Sequence, residues 1–102
     1  LEERIAEARR AVAAAAPLGR DIAAQFSIYP LGMGQHMDEI YGCIKFLKSS
    51  GVFDRSKNFC TKLRGDVGPV FATLSEAFLR FGAPDGHVAM DLKVSANSPT
   101  VG

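Results

Sequence analysis

Three segments of the chain carry apolar side chains every three or four positions, the spacing that predicts an amphipathic helix. They are residues 2–16, residues 36–50, and a stretch that begins near Asp66 and ends at Phe81. The first stripe consists largely of alanine, so we expect that helix to lie on the domain surface, on a partner, or as a connector, and not to nucleate a core. The two later stripes carry larger apolar side chains and are predicted to face the core. Either Asp66 or Gly68 is expected to cap the third helix.

The intervening segments alternate apolar and polar residues, which predicts strands. The first strand runs from Ile22 to Tyr29, and we expect Pro30 to close it. Residues 52–66 are long enough for two short antiparallel strands with a turn near residues 55–58. Residues 87–96 alternate again and predict a fourth strand.

The resulting order is a helix followed by β-α-β-β-α-β. Because each of the two later helices has a single apolar stripe, both must cover the same face of one antiparallel sheet. This predicts an α+β, ferredoxin-like βαββαβ sandwich in residues 20–102, with residues 1–19 as an N-terminal helix and connector. The opposite face of the sheet stays bare, as ligand platforms and dimer interfaces commonly are. Its polar residues are predicted to be Gln25, Ser27, Tyr29, Asp91, Lys93 and Ser95.

Composition narrows the possible functions. The 102 residues suffice for one domain, and 12 basic against 11 acidic residues argue against a nucleic-acid-binding protein. No apolar run approaches the roughly 18 residues of a membrane span, and the charged start is not a signal peptide. The chain begins without Met, so we expect that something upstream was removed. Cys43 and Cys60 are expected to be buried free thiols in a reducing compartment, which indicates a cytoplasmic protein.

The sequence offers little for catalysis. The only histidines are His36 and His87, and no nucleophile elbow or phosphate-binding glycine motif is present. Cys60 with His87 is a conceivable thiol–imidazole pair, but a structural Cys60 is the stronger interpretation. Helix-start charges explain the acids beside His36 better than a metal site does. We therefore expect no enzyme activity, no metal and no cofactor.

Four segments together resemble one family. They are "AAQFSIYPLG", "MDEIYGCIKFLKSSGVF", "FCTKLRGDVGPVFATLSEAF" and "HVAMDLKVSANSP". In combination they resemble the YkoF-related family of thiamine and hydroxymethylpyrimidine binders over about residues 22–99. The resemblance implies a ferredoxin-like fold and non-enzymatic capture of the aminopyrimidine part of thiamine, in vitamin uptake or salvage. The better-known members have two such repeats, so this chain is either a single-repeat member that pairs as a homodimer through its open sheet face or a piece of a longer protein.

The resemblance also implies the ligand-binding residues. The serine of the F-S-x-Y-P strand falls on Ser27 and the threonine before the R-G turn falls on Thr61, and both are expected to hydrogen-bond the ligand. Tyr29 is a candidate for stacking on its ring. Three further residues are plausible neighbours: Gln25, Asp66 and Ser95.

Strand parity conflicts with part of this assignment. Thr61 shares a side of its strand with Phe59 and Leu63, so hydrophobicity directs it toward the helices and away from Ser27, unless a bulge resets the alternation. A rival hypothesis is an assembly module, in which the bare sheet face only pairs two subunits and Ser27 permits close packing.

Overall fold

A computed structural model describes residues 2–31, 37–57, 60–81 and 87–97. It contains three helices and four strands in the predicted order: α1 (Glu2–Ala14), β1 (Asp21–Leu31), α2 (Met37–Lys48), β2 (Phe53–Lys57), β3 (Cys60–Asp66), α3 (Val67–Arg80) and β4 (His87–Ser95). The strands form one sheet in the order β2-β3-β1-β4, and every neighbouring pair is antiparallel. The protein is therefore an α+β domain with a four-stranded antiparallel sheet.

One face of this sheet carries the core. Ile22, Ala24 and Phe26 of β1 and Leu63 of β3 are buried in a single cluster with apolar residues of all three helices. We call this side the helix face. The alternate residues of each strand form the other side, the open face, on which no helix of the described chain packs.

Two strands are longer than predicted. β1 continues through Pro30 to Leu31 and pairs with β4 along this whole extension, so the expected end at Pro30 is wrong. Among the described residues its pairing with β3 reaches only from Asp21 to Phe26, so no described residue of β3 pairs with Pro30, and proline is tolerated at such a strand position. β2 likewise extends to Lys57 through most of the predicted turn.

The alanine-rich helix α1 is part of the core, although its thin apolar stripe predicts a surface helix or a connector. Ile5, Ala8 and Val12 are 1%, 0% and 6% exposed, and the helix packs on α3 and α2. Small side chains allow helices to approach closely, so a thin stripe can be fully buried. The stripe thus supplies core contacts and does not merely link the domain to something else.

Ion pairs hold α1 in place. Both terminal nitrogens of Arg4 donate to the Glu39 carboxylate at 2.6 Å, and one of them also donates to the main-chain carbonyl of Arg80 at 2.8 Å. The Arg4 guanidinium lies over the Phe81 ring, 5.7 Å from its centroid. Glu7 accepts from Arg80. These contacts join the first turns of α1 to the start of α2 and the end of α3.

The connector after α1 is fixed at the start of α3. Asp66 caps this helix by accepting from the Gly68 N–H at 2.8 Å, and its oxygens also accept from the N–H groups of Leu18 and Gly19 at 2.8 and 2.7 Å. A Cβ at Gly68 would overlap the carbonyl oxygen of Ala16, so the connector crosses this helix start at close range.

Candidate functional site

An open depression of about 290 Å³ lies on the sheet. Seven residues line it: Gln25, Phe26, Ser27, Cys60, Asp91, Leu92 and Lys93. By strand alternation all of these except Phe26 and Leu92 are on the open face. The volume is close to the lower limit of small-molecule sites, which begins at roughly 300 Å³.

Strand register places the polar side chains of this site in two rows. Ser27 of β1 lies directly opposite Asp91 of β4, and Gln25 lies directly opposite Lys93. Directly opposed residues of an antiparallel pair project to the same face with neighbouring side chains. The rows are two residues apart along each strand, which is roughly 7 Å.

Ser27 is half-buried in this depression. Its hydroxyl makes no hydrogen bond to another residue of the described chain. It has one proton to donate and lone pairs to accept with, and the Asp91 carboxylate in the same row is an acceptor when ionised. Together they present a donor and acceptors to a flat polar ring.

Thr61 does not join Ser27. It pairs with Phe26, lies on the helix face and is 6% exposed. Its hydroxyl lies 3.1 Å from the Ser56 hydroxyl of β2. The strand parity that conflicted with a shared site is therefore the observed one, and the two hydroxyls do not line one pocket on the open face. A ligand contact by Thr61 stays a prediction that requires a site on the helix side.

The other predicted site residues are spread along the sheet. Gln25 lies in the depression, whereas Ser95 pairs with Ala23 farther along the open face. Asp66 pairs with Asp21 at the far end of β1, six positions from Ser27 and thus roughly 20 Å away.

Both oxygens of Asp66 accept backbone N–H groups, and these bonds from Leu18, Gly68 and Gly19 hold the pKa of the carboxyl below its usual value. The structure thus gives Asp66 a capping role. The main chain of Tyr29 pairs with Ala89, while its side chain and that of His87 lie outside the described part of the chain.

Sequence reasoning did not select Asp91, Lys93 or Cys60 as ligand residues. Alternation placed the first two on the open face, but only the β1–β4 register sets them beside Ser27 and Gln25. Cys60 is identified as a lining residue because the depression extends to β3. Register between strands more than sixty residues apart is set by the whole fold and carries no local signal.

The thiols and acids of the described segments form neither a disulfide nor a metal-binding cluster. Both cysteines are free, and no three residues of the metal-binding types among those described could share an ion. Burial, with the nearby Glu39 charge, raises the pKa of the Cys43 thiol to about 12, so this thiol is neutral at physiological pH and a poor nucleophile. No described helix has the length and apolar character of a membrane span.

Comparison with known proteins assigns the sheet-forming part of the chain to a family. The sequence model described as "YKOF-related Family" matches residues 21–101, which is most of the chain. The chain belongs to this family. The match begins at the first residue of β1 and includes all four strands.

A curated relative comes from Bacillus subtilis (strain 168) and is named "Putative HMP/thiamine-binding protein YkoF". It is 32% identical to this chain over 76 residues, which are 74% of the chain and 38% of the relative. The matched segment thus covers less than half of the length of this relative.

Proposed function

We propose that this member of the family binds hydroxymethylpyrimidine, free or as part of thiamine, in the open-face depression without altering it. Family membership and the name of the relative supply the ligand class. The observation that carries the proposal is the half-buried Ser27 hydroxyl in a depression of about 290 Å³, directly opposite Asp91.

We further infer that the order β2-β3-β1-β4, with helix crossovers between β1 and β2 and between β3 and β4, is a ferredoxin-like arrangement.

The chemistry of the ligand matches these groups. An aminopyrimidine is flat and carries an exocyclic amino donor beside ring nitrogens that accept hydrogen bonds. The Asp91 carboxylate accepts from the amino group, while the Ser27 hydroxyl or the Gln25 amide donates to a ring nitrogen. No proton transfer or bond cleavage is required of any of them. We propose that the protein binds this ligand in the cytoplasm and acts in the uptake or salvage of thiamine.

Calorimetric titration with hydroxymethylpyrimidine and with thiamine tests this proposal. Ser27→Ala is expected to weaken binding by about 1–3 kcal/mol, because the ligand nitrogen loses its partner in a partly desolvated site. Ser75→Ala is the matched control, since Ser75 is an exposed serine of α3 and distant from the open face. No heat with either ligand at millimolar concentration would reject the proposal.

Thr61→Ala locates the site. Because Thr61 lies on the helix face with Phe26, we expect this variant to bind like the wild type after its lower stability is taken into account. A loss of affinity in Thr61→Ala with none in Ser27→Ala would move the ligand to the helix side of the sheet.

Subunit assembly is the second candidate function, and the structure supports a different surface for it than the open face. Large apolar side chains are exposed on α3 and on the helix-face side of β4: Phe71, Phe78, Leu92 and Val94 are 42%, 48%, 43% and 39% exposed. The open face carries several cations instead, which two copies would bring together. Sedimentation of the apo protein tests assembly, and a tight dimer that no pyrimidine stabilises would favour it over ligand binding.

A further inference from the structure

A row of cations crosses the open face beside the proposed pyrimidine site. Gln25 of β1 is directly opposite Lys62 on β3 and directly opposite Lys93 on β4, and Arg55 of β2 is directly opposite Lys62. The row therefore reads Arg55, Lys62, Gln25, Lys93 across all four strands. We call it the cation row.

The cation row is adjacent to the row of Ser27 and Asp91. The two are roughly 7 Å apart along the strands, and Lys93 lines the same depression as Ser27. Two other acids of this face, Asp21 and Asp66, lie four positions along the strands from Gln25 and Lys62, at the far end of β1 and β3.

The charge pattern discriminates between forms of the ligand. If the ring occupies the row of Ser27 and Asp91, its hydroxymethyl substituent can point along the strands to the cation row. A phosphate ester at that position carries about −1.5 to −2 charges at pH 7 and three acceptor oxygens. The thiazolium of unphosphorylated thiamine is a cation and would meet like charges there.

We propose that the depression prefers a phosphorylated hydroxymethylpyrimidine, with the ester phosphate held by the cation row. This inference rests on the proposed function, since it adds a phosphate subsite to the same pyrimidine site. Lys93 and Lys62 flank Gln25 on its two neighbouring strands, so a phosphate above Gln25 lies between them. Arg55 extends the positive field toward the sheet edge.

The experiment compares calorimetric affinities of hydroxymethylpyrimidine, its phosphate monoester, thiamine and thiamine monophosphate. We expect the monoester to bind roughly tenfold or more tightly than the free alcohol, and thiamine monophosphate to bind more tightly than thiamine. Added KCl should weaken the monoester more than the neutral alcohol, because salt screens the charge interaction. Inorganic phosphate and a short single-stranded oligonucleotide are control anions that lack the hydroxymethylpyrimidine group.

Variants test the row directly. Lys62→Gln combined with Lys93→Gln is expected to lower the ratio of monoester to alcohol affinity toward one. Lys48→Gln removes an exposed lysine of α2, away from the open face, and should leave this ratio as in the wild type. The ratio is the readout because it separates phosphate recognition from a general loss of binding.

The outcomes are distinguishable. Equal affinity for monoester and alcohol would overturn the phosphate subsite and leave pyrimidine binding intact. Inorganic phosphate or the oligonucleotide binding as tightly as the monoester would overturn it as well, since the row would then be a general anion surface. Absence of binding by all four pyrimidine compounds would reject the proposed function and this inference together.

Discussion

Replacing Ile5 by alanine tests whether α1 is a structural part of the domain. Ile5 is 1% exposed and is among the largest fully buried side chains of the described residues. Truncating a buried isoleucine to alanine typically costs about 2–5 kcal/mol, because it removes apolar contacts and leaves a cavity. For a domain of this size each kcal/mol lowers Tm by roughly 4–8 °C, so we expect a fall of at least about 8 °C.

Urea unfolding followed by circular dichroism measures this effect as a shift in the free energy of unfolding. Leu18→Ala is the control, because Leu18 lies in the connector after α1 and is 72% exposed. Substitutions at such surface sites usually change stability by no more than about 0.5 kcal/mol. The slope of free energy against urea should be similar in both variants if α1 unfolds together with the sheet.

A connector helix would give a different result. If Ile5→Ala cost no more than Leu18→Ala, α1 would not share the cooperative core, and the contacts of Arg4 with Glu39 would be surface pairs of little energetic value. A loss confined to α1 would appear as a separate helical transition before the main unfolding step.

Two further predictions concern the start of α3. Gly68→Ala should destabilise the domain by about 1–3 kcal/mol, because the new methyl group overlaps the Ala16 carbonyl oxygen. Gly19→Ala meets no neighbouring atom, so its cost of roughly 1 kcal/mol comes only from placing alanine in a left-handed backbone conformation. Equal Tm values for these two variants would contradict the close crossing. Asp66 has a lowered pKa in the folded state, so its contribution to stability is present above the unfolded value of about 3.9 and is lost as pH falls through the folded one. Asp66→Asn should therefore show a smaller loss of urea stability between pH 5 and 2 than the wild type does; parallel curves would contradict this assignment.

Local patterns predicted the strands' sidedness well. Alternation placed Phe26 toward the helices and Ser27 away from them, and the β1–β3 register confirms that Thr61 follows Phe26. Asp66 was one of two predicted caps for α3, and it is the observed one. These features depend on the period of side chains along a strand or on the first turn of a helix, so a short window of sequence contains them.

Long-range contacts were beyond such windows. The stripe of α1 is weakly apolar, and its burial depends on Arg4 meeting Glu39 and on Glu7 meeting Arg80, partners 35 and 73 positions away. Pro30 was expected to end β1, but β1 pairs with β4 as far as Leu31, and no described residue of β3 pairs with the proline. Neither fact is encoded near the residue concerned.

The proposed site also depends on long-range strand pairing. This explains why the Ser27 hydroxyl lies in the depression and the Thr61 hydroxyl does not. Successive residues of a strand face opposite sides, so Thr61 lies under the helices while its neighbour Cys60 lies in the depression. Asp91 and Lys93 join the open face beside Ser27 and Gln25 only when β4 pairs with β1, more than sixty positions away, whereas Lys62 and Arg55 come from β3 and β2. Ligand specificity on this face is therefore a property of strand register. A one-residue slip of β4 would move Asp91 to the helix face and remove the acceptor while keeping every residue of the family motif in the chain.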